Sequence, residues 1–307
     1  MLRTDAVGVA REVCRAEDVG VGSPWRGRWA PGWWGLGPRR GVFVLGIAVV
    51  VAVVVAVLAA VAVVRLAGSS PPAAAQDRPG TVLLVPGYGG EQGALAVLAE
   101  RLRVAGRAVV VVVPPGDGTG DLAGQATALD SAAEQVLDAG APSVDVVGYS
   151  AGGVVARLWV AREDTARAAR RVVTLGAPLH GARIAAAGTG LVPGACPRAC
   201  QQLAPGSALL RELDATPLPA ALPWVSLWTA DDETVVPPES ARLPGAVNVE
   251  VQQVCPDARV AHGQLPTDPL VTGIVLRALG PVPMQAPGPA DCAALRAVGT
   301  RTAAGTP

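Results

Sequence analysis

Ten residues near the middle of the chain limit what it can become: Val144-Asp145-Val146-Val147-Gly148-Tyr149-Ser150-Ala151-Gly152-Gly153. Val144, Val146 and Val147 predict a short buried β-strand, because an apolar β-branched run bounded by turn residues fits the centre of a parallel sheet. Gly148 to Gly152 fits G-x-S-x-G, and Val154 to Ala161 continues as a helix. Strand, sharp turn and helix in that order make the context in which a serine is lifted off a sheet edge as a nucleophile. The turn strains the serine backbone, so its neighbours two before and two after must be small. Gly148 and Gly152 meet that demand.

The flanking sequence repeats the strand–helix rhythm. Thr81 to Val85 reads as a buried strand, Pro86-Gly87-Tyr88-Gly89-Gly90 as a glycine-rich loop and Glu91 to Val104 as a helix. Ala108 to Val113 predicts a second strand, and Leu122 to Ala139 a helix through Leu122, Leu129, Val136 and Leu137. Beyond the serine, Val172 to Leu175, Trp224 to Thr229 and Ala246 to Val251 read as strands. A short helix is expected around Ser207 to Leu213, and Thr267 to Leu279 as the closing helix. Gly181 to Pro205 reads as irregular, a small or partly open cover without a strong amphipathic helix. Strands alternating with helices predict an α/β fold with a mostly parallel, doubly wound sheet, whose active site lies at the carboxyl ends of the strands.

An alkyl hydroxyl needs a base to act as a nucleophile, usually an imidazole held in one tautomer by a carboxylate. The chain has two histidines, His180 and His262. The turn resembles that of the α/β-hydrolases, a resemblance that implies the chain order nucleophile, acid, base. No carboxylate loop separates Ser150 from His180, whereas His262 follows the strand whose end carries Asp231-Asp232-Glu233. His262 is therefore assigned as base rather than as a surface-loop histidine. Asp232 is chosen as acid because Asp232 to Pro237 fits a D-x-x-V-x-P turn in which the valine packs beneath the carboxylate. Asp231 should point away, and Glu233 either lines the site or belongs to a solvated turn. An oxyanion needs two fixed N–H donors, expected from Ala151 and from the backbone of Tyr88. A phosphate cradle in the 86–90 loop is excluded, since neither G-x-G-x-x-G nor a P-loop lysine is present.

The N-terminal part is of another kind. Residues 1–40 read as a disordered cytoplasmic tail, with Trp25, Trp29, Trp33 and Trp34 as candidates for a membrane surface. Val42 to Val64 carries no charge and has about the length that crosses ~30 Å of hydrocarbon. Arg39 and Arg40 precede it and only Arg65 follows, which places the N-terminus inside and the remainder outside. A signal-anchor helix over 41–65 is expected, attaching the protein to the cell membrane. The rival is a cleaved signal peptide, with Ala73-Ala74-Ala75 offering a cleavage site and a secreted product. A linker over 66–80 leads to a catalytic domain over 81–282 and a tail over 283–307.

Four of the five cysteines, Cys196, Cys200, Cys255 and Cys292, lie beyond the apolar run, which suggests two disulfides in an oxidising compartment. Cys196 and Cys200 can close a small loop; Cys255 would then pair with Cys292 and tie the tail to the body. A four-cysteine zinc site is the rival, against which stands the absence of paired C-x-x-C knuckles. Net charge is zero, so nothing argues for nucleic acid. Aromatics make up only 3% of the chain, so a core of Val, Ala and Leu must interdigitate closely.

From about Thr81 to Leu279 the chain resembles the small secreted triacylglycerol lipases and esterases of the α/β-hydrolase superfamily, in particular bacterial class 2 lipases and the fungal lipase B type. The resemblance rests on Val85-Pro86-Gly87-Tyr88-Gly89, Gly148 to Gly153, Thr174-Leu175-Gly176-Ala177-Pro178-Leu179-His180-Gly181, Cys196 to Gly206, Asp232 to Pro237, Asn248-Val249 with Val254-Cys255, and His262. It implies ester hydrolysis through an acyl-enzyme, with Ser150, Asp232 and His262 as triad, Tyr88 and Ala151 as oxyanion hole and Cys255 paired with the tail cysteine. His180 reads as a residue structuring its loop beside the acyl site, and with Tyr149 and Glu233 it completes the set expected near substrate. No metal or other cofactor is required, and a monomer acting on a lipid or other ester is expected. The departures are the N-terminal anchor and Tyr88, which stands where other members carry a different residue. Acyl transfer, thioester cleavage and phospholipid cleavage share the triad, and a silent surface-binding protein on the same fold is the rival of another class.

Overall fold

The structure, a computed structural model, describes residues 38–68, 74, 77–162, 168–191 and 196–301. It divides into two compact units, Met1–Ser70 and Pro71–Pro307. In the first, α1 spans Pro38–Gly68. Its described side chains, from Gly46 to Val61, are exposed. Among the described residues no helix is long and apolar enough to cross a membrane. The transmembrane expectation for 41–65 therefore gains no support from the described residues. The four N-terminal tryptophans and most of the expected tail lie outside the described residues.

The second unit holds six strands: β1 (Thr81–Val85), β2 (Val109–Val111), β3 (Val144–Tyr149), β4 (Ala169–Leu175), β5 (Trp224–Trp228) and β6 (Val247–Glu250). Their order is β2-β1-β3-β4-β5-β6, and every neighbouring pair is parallel. The parallel α/β sheet read from the sequence is thus present. Its strands look uniformly apolar because both faces are covered, and the two-residue period deals alternate side chains to opposite cores. Leu83, Val85, Val144 and Val146 join the core beneath α3 (Leu122–Asp138) and α4 (Ala151–Val160). Val82, Leu84, Val147 and Val173 join the other, beneath α2 (Gly93–Val104) and α9 (Pro269–Ala278). The α9 helix starts later than its apolar pattern, since Asp268 caps the N–H groups of Leu270 and Val271 and Pro269 takes the first turn. β2 is shorter than its valine run, because at the sheet edge it pairs only with β1.

Two parts differ from the expectation. The segment read as irregular over 181–205 contains α5 (Arg183–Leu191) and α6 (Arg198–Gln202), followed by α7 (Ala208–Ala215). Nor is 267–279 the last helix, since α10 follows at Cys292–Gly299. A Cβ on Gly273 would lie 2.0 Å from the Leu295 carbonyl oxygen, and one on Gly299 1.8 Å from that of Pro269. Glycine at both positions therefore lets α10 meet α9 backbone to backbone. The Cys255–Cys292 disulfide joins α10 to the end of a short helix, α8 (Val251–Val254).

An ionic cluster that the sequence reading did not single out sits inside the fold. Asp145 of β3 is fully buried, and one of its carboxylate oxygens accepts from Arg170 at 2.7 Å and also from Arg107. Arg170 donates to the carbonyls of Leu279 and Gly280, and Arg107 to Leu279 as well. The cations thus cap the carboxyl end of α9, where the helix dipole is negative.

β2 and β3 flank β1 on opposite sides, so the connections leaving β1 and β3 diverge. That divergence opens a crevice at the carboxyl ends of the strands. Ser150 and the loop bearing Tyr88 both occupy it.

Candidate active site

Ser150 follows β3 directly and caps α4 with φ 53° and ψ −125°. Among the described residues no other non-glycine has positive φ. Such a conformation costs on the order of 1–3 kcal/mol and persists only where its surroundings enforce it. Here the Ser150 N–H donates to Leu175 O at 2.8 Å, and its carbonyl accepts from the Gly153 N–H at 2.9 Å. The flanking glycines are steric necessities. A Cβ on Gly148 would lie 2.5 Å from Gly152 O, and one on Gly152 2.3 Å from Val85 O. The same turn needs Gly153, whose Cβ would lie 2.4 Å from the Ala177 methyl.

The loops after β5 and β6 deliver the other two side chains. Thr229 Oγ1 donates to Val260 O at 2.7 Å and ties these loops together. His262 Nε2 lies 3.0 Å from Ser150 Oγ, and its Nδ1 lies 2.7 Å from Asp232 Oδ2. The other Asp232 oxygen accepts from the N–H groups of Thr234 and Val235 at 2.9 and 2.7 Å, so the turn fixes the carboxylate. Asp232 and His262 are only 6% and 5% exposed, which removes competing water from their hydrogen bond. Gly176, with φ 55°, passes beside the pair; a Cβ there would lie 3.1 Å from His262 Nδ1. A hydroxyl, a neutral imidazole and a carboxylate in this line can pass a proton from oxygen to nitrogen and stabilise the resulting imidazolium.

Ala151 opens α4 and Tyr88 opens a 3₁₀ turn over Tyr88–Gly90, positions whose N–H groups have no partner within the helix they start. Gly87 brings the Tyr88 loop against the serine, since its Cβ would lie 3.1 Å from Ser150 Cβ. Gly89 N–H donates to Gly118 O at 3.3 Å and braces that loop from behind. Beside Ser150 opens a cavity of about 230 Å³. Its apolar wall includes Ala182, Ile184, Ala185, Cys200, Leu203 and Val235. Sequence reasoning read 181–205 as a cover without naming its wall residues, because the segment was read as irregular, and placed Val235 only beneath the carboxylate. The only signal was the two cysteines within that segment. A larger cleft of about 770 Å³, lined in part by Arg157, His180 and Asp214, lies apart from the serine.

Of the three residues expected near substrate, none lines the serine cavity. His180 does not line the serine cavity. It is exposed, with Nδ1 3.0 Å from Ser240 O and Nε2 3.4 Å from Asp214 Oδ1, and it pins the turn after β4 to residue 240. Glu233 accepts the His262 N–H at 3.1 Å, so it holds the histidine backbone. Tyr149 packs its ring 5.2 Å from the imidazole and donates its hydroxyl to His262 O at 3.3 Å. Burial first, then the negative charges of Asp232, Glu233 and Glu91, push the Tyr149 phenol up to about 12. Tyr88 is likewise raised, by burial and then by Asp117. Asp231 turns away and accepts from Gln252 at 3.1 Å.

Cys196 pairs with Cys200, and Cys255 with Cys292. A four-cysteine zinc site is incompatible with these bonds, since each sulfur is spent on its partner. Cys255, Asp257 and Cys292 bring ligand atoms within 4.8 Å of one another, but neither sulfur there is a thiolate.

No family model matches the chain, and no curated protein matches it. Solved structures do. Aspergillus fumigatus lipase B superposes with a TM-score of 0.58 at 17% identity, over 76% of this chain and 59% of that one. The Bacillus licheniformis lipase BlEst2 in mature form gives 0.54 at 17%, over 69% of this chain and 95% of that one. Its propeptide form gives 0.55 at 18%, over 71% and 53%. This chain therefore spans less than two thirds of the fungal lipase and of the propeptide form. At these identities the likeness concerns architecture, and with the sheet order and the strained serine turn it leads to one conclusion: the chain has the α/β-hydrolase fold.

Proposed function

We propose that the protein is a serine hydrolase of carboxylic esters, of the lipase or esterase type. The observation that carries this reading is the line Ser150 Oγ–His262 Nε2–Asp232 Oδ2, with spacings of 3.0 and 2.7 Å behind a strained serine turn. In this reading His262 takes the proton as Ser150 Oγ attacks the ester carbonyl. The Ala151 and Tyr88 N–H groups receive the oxyanion, and the alcohol leaves with the proton from His262. Water activated by His262 then frees the acid. The cavity of about 230 Å³ falls below the ~300–1,000 Å³ typical of sites for drug-sized ligands. Short or medium acyl chains suit it better than long ones lying fully enclosed.

The test is hydrolysis of p-nitrophenyl esters and of emulsified acylglycerols by the full chain in mild detergent. Turnover that disappears in Ser150→Ala supports the reading, and unchanged turnover in that variant removes it. Transfer of the acyl group to an added alcohol in preference to water would recast the enzyme as an acyltransferase. All three side chains come from one chain, so a monomer suffices. The reading also places the catalytic unit outside the membrane, either held by the apolar run Val42 to Val64 or released by cleavage. Two disulfides accord with such an oxidising compartment. Protease added to intact cells should then degrade the catalytic unit, or the unit should appear in the medium.

A further inference from the structure

We propose that the Cys196–Cys200 disulfide is a specificity determinant: it forms part of the wall of the Ser150 cavity and sets how long an acyl chain the cavity accepts. The inference rests on the ester-hydrolase reading above. Cys200 lines the cavity together with Ile184 and Ala185 of α5 and Leu203 beyond α6. Gly188 of α5 faces the sulfurs directly; a Cβ there would lie 3.1 Å from Cys200 Sγ and 3.7 Å from Cys196 Sγ. The helix thus rests on the sulfur pair with no side chain of Gly188 between them.

The disulfide is itself seated on the body of the protein. The Ala199 N–H donates to Thr119 O at 3.0 Å, and Gln202 accepts from the Leu122 N–H at 2.9 Å while donating to Asp121 at 2.6 Å. At its other end α5 is held by Ala182 N–H to Leu203 O and Arg183 N–H to Val236 O, at 3.1 and 3.0 Å. One side of the cavity is therefore a helix pinned at its start and propped by two bonded sulfurs along its length. Close-packed interiors transmit a change of this size to whatever rests on it.

Global stability is a poor account of this bond. Its cysteines are 4 residues apart, against 37 for Cys255 and Cys292. The unfolded-chain freedom removed by a cross-link grows with loop length, so the short loop contributes less. Its position in the cavity wall is what distinguishes it.

Opening the bond takes a dithiol reductant. The dithiol gives two electrons and two protons and closes to its own disulfide, while the Cys196–Cys200 bond breaks and each sulfur ends as a thiol. Once the bond is gone, by reduction or by substitution, the two side chains move independently, so α5 loses its fixed prop at Gly188 and the cavity lengthens.

The test compares kcat/KM for p-nitrophenyl butyrate and p-nitrophenyl laurate. The proteins are the oxidised full chain, Cys196→Ser/Cys200→Ser and, as control, Cys255→Ser/Cys292→Ser. The laurate-to-butyrate ratio should rise roughly tenfold in the first variant, the scale on which apolar pockets discriminate chain length, and stay put in the control. If the first variant does not fold, the folded wild type is titrated with dithiothreitol. Iodoacetamide mass mapping then identifies the opened pair, and circular dichroism checks that the fold is intact. The ratio should rise as Cys196 and Cys200 become alkylated. Ordinary turnover with an unmoved ratio while that pair is open overturns this inference alone. No ester turnover by the wild type overturns the ester-hydrolase reading and this inference together.

Discussion

At the scale of single residues, the structure holds Ser150 Oγ 3.0 Å from His262 Nε2 behind a turn that steric exclusion enforces. G-x-S-x-G was legible because steric exclusion selects it: the Gly152 Cβ position lies 2.3 Å from Val85 O. Gly152→Ala should therefore cost on the order of 3 kcal/mol or more, read as a fall in the urea midpoint together with lost ester turnover. Asp232→Asn keeps the shape but cannot hold the productive tautomer or the imidazolium. Its kcat should fall roughly 10⁴-fold while circular dichroism stays unchanged. The motifs place Tyr149, His180 and Glu233 near the serine but do not record which way each side chain turns: His180 meets Ser240, and Tyr149 and Glu233 meet His262. Tyr149 also carries a pH signature. Burial, then nearby carboxylates, push its phenol up to about 12 in the folded chain, above the ordinary tyrosine value of about 10. Between these values the unfolded chain loses the phenolic proton and the folded one keeps it, so stability falls as pH rises through that window. Urea midpoints at pH 9 and pH 11 should diverge in the wild type and diverge less in Tyr149→Phe.

At the scale of elements, the strands and the long helices were legible from periodicity because both faces of the sheet are covered. The short helices α5 and α6 were not. Their Ala- and Gly-rich sequence, as in Arg183-Ile184-Ala185-Ala186-Ala187-Gly188, gives no apolar stripe, and contacts in space hold them instead. The Asp145 cluster was equally hidden, since a single acidic residue in a valine strand looks like an interruption until Arg107 and Arg170 arrive from elsewhere. Removing the carboxylate strands buried cations at the end of α9. Asp145→Ala should cost roughly 3–5 kcal/mol, measured by equilibrium unfolding. A substitution of the exposed Asp257, which pairs with Arg296 at the surface, should leave the unfolding midpoint nearly unchanged.

At the scale of the whole molecule, strand order positions the chemistry. β2 and β3 leave β1 on opposite sides, and the crevice between the departing loops receives Ser150 and Tyr88. The sequence predicted a parallel sheet but not this order, because nothing local records which side of β1 a later strand takes. The cross-links act at this scale too. With its cysteines 37 positions apart, the Cys255–Cys292 bond removes far more freedom from the unfolded chain than the short one. Its loss should cost about 4 kcal/mol, against about 2 kcal/mol for Cys196–Cys200. The measurement that tests the central claim most directly is intact-protein mass spectrometry after exposure to a fluorophosphonate, with the modified peptide sequenced. The account predicts a single adduct on Ser150, formed rapidly by the wild type and lost in His262→Ala while the fold is retained. Labelling elsewhere, or an equally fast adduct without the imidazole, would contradict it.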